Sequence, residues 1–278
     1  MNPLTKKGLI ATSTLSVVYI FNQFSPINLI YTFSVVFVMI IIISSYLFSI
    51  KLDKESISRG IKFVLMLLLF NLSALAFIAY ISNPLVRGVI TVLALPVNFY
   101  LFIALKKVQN LGERAAIFYR NMLIVISFLI IFFSTALLFR FQIILSTTTY
   151  AFLSRLLVVA GVLFIVYFIT YFLTWEQGSS DKKYRLYNIT CALICAEIAW
   201  VSSIWVINYP VIGIMQKSNL GGTPLAAILI TIVYYFLWGI ISHKLENNLN
   251  RKILTEYLIL ASLFITVLLS TASWFTTI

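Results

Sequence analysis

Apolar runs of about 20 residues recur along the whole chain, and they limit the fold because a bilayer core of about 30 Å is crossed by that many helical residues. Nine such runs can be placed, at 7–24, 27–49, 61–81, 85–105, 122–144, 150–174, 189–210, 222–242 and 254–275. Lipid offers a bare backbone no hydrogen-bond partner, so a spanning segment must be a helix or part of a closed barrel. The runs lack any alternation of polar and apolar residues, which selects helices. The expected fold is all-α: a polytopic transmembrane helix bundle of about nine spanning helices, forming one domain over residues 1–278. With 62% hydrophobic and 10% charged residues, a soluble domain is excluded.

Charge placement orients the bundle. Lys6 and Lys7 and the segments 51–62, 106–120, 182–185 and 244–252 together hold sixteen of the 20 cations, and they fall on alternate sides of successive runs. Cationic segments stay in the cytoplasm, which puts the N-terminus inside and the C-terminus outside. A net charge of +12 is thereby explained without nucleic acid, and no nucleic-acid partner is expected. The N-terminal run has the basic start of a signal sequence but no small-x-small cleavage site, so it reads as an uncleaved first helix. Seven of the eight acids lie in or beside the same cationic loops. The eighth is Glu197, inside an apolar run.

The remaining inventory rules out several chemistries. Intramembrane aspartyl proteolysis needs paired aspartates within the bilayer, whereas Asp53 and Asp181 fall in loops. Only one histidine is present, His243, so serine-type proteolysis and histidine-rich zinc sites lack their parts. His243 and Glu246 read as a solvated helix end. Cys191 and Cys195, four residues apart, read as small packing residues, since that spacing strains a disulfide and two sulfurs are too few for structural zinc. No catalytic residue, metal or cofactor is expected.

An ionised carboxylate in lipid is costly, so Glu197 is expected to face the bundle, carry a proton and donate it to a polar neighbour. Counting about 1.5 Å per residue from the cytoplasmic end of each run, Glu197, Tyr167, Tyr234, Asn71 and Asn98 come to about 10–15 Å. They define a candidate buried polar layer, in which Tyr167 is the expected contact of Glu197. Pro96 frees the carbonyl of Val92 by removing its usual donor, which adds an acceptor near Asn98. On the outer side, Arg140 and Arg155 form a candidate contact for an anion or a lipid headgroup.

The second half of the chain, from LGERAAIFYRNML through YYFLWGIISHKLENNLNRKILTEYLILASLFITVLLSTASW, carries a resemblance, through Arg114, Glu197 with Trp205, Trp238-Gly239, Glu256-Tyr257 and Trp274. These positions resemble a family of uncharacterised multi-pass bacterial integral membrane proteins. The resemblance implies a bacterial cell-membrane location and no particular activity. The expected role is a structural or accessory membrane subunit, in contact with membrane lipids and a membrane protein partner. The alternative is a small-solute or proton-coupled transporter using Glu197, and the third is a membrane enzyme acting on lipid-linked substrates.

Overall fold

A computed structural model of the protein describes residues 3–24, 35–36, 38–40, 54–79, 81, 84–107, 113–146, 151–176, 182–204, 208–209 and 223–271. Eight long helices occupy most of them: α1 (Pro3–Phe24), α2 (Lys54–Ala79), α3 (Pro84–Lys107), α4 (Glu113–Ser146), α5 (Ala151–Glu176), α6 (Lys182–Ile204), α7 (Leu225–Leu245) and α8 (Arg251–Thr271). A two-residue antiparallel ladder between α6 and α7 pairs β1 (Asn208–Tyr209) with β2 (Thr223–Pro224). The architecture is all-α, as the unbroken apolar runs require.

Five of these helices, α4 to α8, contain stretches long and apolar enough to cross a membrane: Asn121–Ile143, Phe152–Thr174, Tyr184–Ile204, Leu225–Leu245 and Arg251–Ser270. Shorter apolar stretches, Val64–Ala79 and Arg87–Ile103, lie in α2 and α3. The run at 27–49 falls mostly outside the described residues. α6 begins earlier than its apolar run, at Lys182, because Lys-Lys-Tyr-Arg-Leu-Tyr contains no helix breaker. It also ends earlier, at Ile204. Glu197 therefore sits about 10 Å from the C-terminal end of α6 and about 22 Å from its start, at roughly 1.5 Å per residue.

The chain divides into two compact units, Met1–Ile130 and Ile131–Ile278. In the first, α1 lies along α3, and α2 packs against both. In the second, α5, α6, α7 and α8 each pack against the next in chain order.

Small side chains set the packing in the second unit. α6 buries Cys191, Ala192, Cys195, Ala196, Ala199 and Ser203. Their spacing of three and four residues makes one continuous stripe, and small stripes let membrane helices approach closely. Both cysteines are free and buried, filling the packing role expected of them. Gly239 does similar work between α7 and α8, since a Cβ there would overlap Cε1 and Cζ of the Tyr257 ring. The turn that follows is specified locally. Asn247 takes φ 54°, a left-handed conformation that asparagine tolerates better than most side chains. Asn247 N donates to Lys244 O at 3.2 Å and Asn248 N to His243 O at 3.1 Å, the pair of bonds that ends a helix in a Schellman motif. Asn250 then caps α8 by accepting from Ile253 N at 2.9 Å.

Candidate functional site

Two of the five expected layer residues meet, in the first unit. Asn71 on α2 and Asn98 on α3 face each other fully buried, and they exchange amide bonds: Asn71 Nδ2 donates to Asn98 Oδ1 at 2.8 Å and Asn98 Nδ2 to Asn71 Oδ1 at 3.0 Å. Each amide also donates one turn back, Asn71 to Leu67 O at 2.9 Å and Asn98 to Ala94 O at 3.0 Å. Asn98 therefore uses the Ala94 carbonyl, not the Val92 carbonyl that Pro96 frees. A third helix joins through Tyr19 of α1, whose hydroxyl donates to Asn71 Oδ1 at 3.0 Å. Tyr19 was absent from the expected layer. Depth was the available signal, because Tyr19 lies about 18 Å along the first run from Lys7 and Asn71 about 15 Å along its own.

This node ties three helices together and leaves none of its amide donors without an acceptor. Such bonds contribute about 0.6 kcal/mol each in membrane proteins, so the node is an interhelical clamp. Asn22 adds a fourth tie, donating to Leu75 O at 3.1 Å.

In the second unit the other three residues stay apart. Tyr167 on α5 is half-buried and stacks on Tyr171 of its own helix at 6.1 Å. Tyr234 is fully buried on α7. Glu197 is exposed, which corrects the expectation that it faces the interior and bonds Tyr167. The physical cause is the small-residue stripe. At about 100° per residue Glu197 falls roughly 180° around α6 from the midline of that stripe. Once α6 packs through its small face, the acid must point outward, among Leu193, Trp200, Val201 and Ile204, all exposed. No hydrogen bond or ion pair joins Glu197 to another described residue. In a spanning helix that placement is expensive, since a charged side chain near the helix centre costs on the order of 3 kcal/mol on insertion scales.

Arg140 also differs from expectation. Arg140 is 6% exposed, buried on one α4 face with Ala136 and Phe139, and so is not presented to a headgroup. Arg155 is half-buried. Near Arg140, Gln142 Nε2 donates to Ser203 O at 2.6 Å, supplying a donor to the last turn of α6, where carbonyls lack intrahelical partners. Asn188 Nδ2 donates to Thr174 Oγ1 at 2.9 Å and ties α6 to α5.

A third polar cluster sits on the α7–α8 turn. His243 Nδ1 lies 2.8 Å from Asn248 Oδ1, and Asn248 Nδ2 donates to Glu246 Oε2 at 3.2 Å. Asn248 thus stands between the two residues read as a helix-end pair. The imidazole also meets the Tyr257 ring edge-on, with centroids 5.7 Å apart, and Tyr257 contacts Tyr235 at 5.7 Å. Glu246 and Asn248 are exposed, and the bonds run within one turn, so the cluster fixes the turn. No group of three or more histidine, cysteine or acidic side chains suited to a metal occurs among the described residues.

The chain matches no family model, no characterised protein and no solved structure with which it was compared.

Proposed function

We propose that the chain is a multi-pass protein of the bacterial cytoplasmic membrane and serves as a structural or accessory subunit of a membrane assembly. The observation that carries this reading is the coverage of α8. Only 6% of its Arg251–Ser270 span is buried within the chain, against 39–56% of the other four spans. A helix held on one side by α7 adds little to the chain's own core, so its exposed surface is available to other molecules. That surface carries Ser262, Thr266 and Ser270 at four-residue spacing, with each hydroxyl bonded to its own helix backbone. Small, self-satisfied side chains are what helix–helix contacts in membranes favour.

Nine crossings, with the N-terminus in the cytoplasm and the C-terminus outside, fit the sixteen cations grouped in alternate loops. The transporter reading required Glu197 in the interior, and its exposed position removes that support. Native mass spectrometry of the protein purified in mild detergent tests the accessory role. A stoichiometric membrane protein partner or a defined oligomer is expected. A lone chain that carries a pH-gradient-driven flux in liposomes, lost in Glu197→Gln, would overturn it.

A further inference from the structure

We infer that the exposed face of α6 docks a transmembrane helix of a different membrane protein, one bearing a lysine or arginine that pairs with Glu197. This partner deepens the accessory role proposed above and rests on it. Leu193, Glu197 and Val201 form one row at four-residue spacing, flanked by Trp200 and Ile204, and all five are exposed. The row is apolar except for a single acid, which has no hydrogen bond or ion pair to another described residue. An acid in a spanning segment calls for an opposite charge or a bundle interior; no described residue supplies the first, and the exposed position denies it the second.

Three occupants of this face can be compared. Lipid headgroups lie too far away: Glu197 is about 10 Å inside the end of α6, and it lacks the long stem by which lysine and arginine reach an interface. A second copy docking through the same face about a two-fold axis sets acid against acid, because such an interface brings identical patches together. A foreign helix with a base at matching depth satisfies the charge and covers the apolar row. It is also helical by necessity, since backbone at that depth must satisfy its own hydrogen bonds.

A benzophenone-bearing amino acid in place of Val201, 63% exposed, tests the docking face in living cells, with Phe264 on α8, 53% exposed, as the comparison position. The expected result is a Val201 adduct to a membrane protein whose spanning helix, identified by mass spectrometry, carries a lysine or arginine. Glu197→Gln should lower the adduct yield about tenfold, as should neutralising the partner's base, and Glu197→Lys with an acid on the partner should restore it. Expression and thermal unfolding of Glu197→Gln in detergent separate lost docking from lost folding. Adducts to lipid only, to a second copy only, or to a protein whose yield ignores Glu197→Gln overturn the docking face. If one of those results comes with a stable partner in native mass spectrometry, the docking face alone fails. If neither position captures protein and the chain purifies alone, the accessory role falls as well.

Discussion

The clamp of the first unit and α6 of the second treat polar side chains in opposite ways. At the clamp, two asparagines and a tyrosine turn inward and meet one another, so three helices gain contacts without stranding an amide donor. On α6 the strongest polar group turns outward, and the inward face goes to cysteine, alanine and serine. The difference lies in reciprocity. An asparagine both donates and accepts, so another asparagine completes it, whereas a lone glutamate needs a cation or a donor set that no described residue of the second unit directs to it. When no such partner exists, close packing of small residues decides which way the helix faces.

Removing reciprocity from the clamp gives the largest expected effect. Asn71→Leu leaves the Tyr19 hydroxyl and the Asn98 amide buried without their shared partner, which should lower stability by about 3 kcal/mol. Replacing both asparagines by leucine should recover about half of that loss, since the Asn98 amide is then no longer stranded while the Tyr19 hydroxyl still is. Denaturant-induced unfolding in mixed micelles, followed by tryptophan fluorescence, measures both variants. Additive losses would show that the two amides do not act as a pair. On α6 the matching perturbation is steric. Ala199→Leu, at a fully buried position, should cost about 2 kcal/mol by overpacking. Val201→Ala, on the opposite face, should leave the micellar protein within about 0.5 kcal/mol of the parent.

The sequence made the helical class legible because twenty-residue apolar runs admit few other folds. The α7–α8 turn was read only as a solvated helix end, yet Asn247, Asn248 and Asn250 supply its left-handed residue, the bridge to His243 and the helix cap. The Asn71–Asn98 contact was legible from depth alone. Burial direction was not: the cost of an acid in lipid was weighed on Glu197 by itself. The competing signal was present in Cys191, Ala192, Cys195, Ala196 and Ala199, a stripe whose packing value is shared among many contacts. Arg140 was missed in the same way, because its α4 face is set by its neighbours Ala136 and Phe139.

The smallest expected effect separates the two regions most sharply. If α6 packs through its small residues and Glu197 has no partner within the chain, Glu197→Gln should change the stability of the isolated protein by no more than about 0.5 kcal/mol, the range for exposed positions without special contacts. An interior Glu197 bonded to a tyrosine would behave like the clamp, losing a buried charge-capable hydrogen bond worth about 1.5–3 kcal/mol. The same micellar unfolding measurement distinguishes these outcomes, and a loss above about 1.5 kcal/mol would return the acid to the interior. A near-zero change paired with a large effect on partner capture is the signature of a side chain whose counterpart lies on another molecule. It would also explain how an acid persists on a helix face where it contributes nothing to the fold of its own chain.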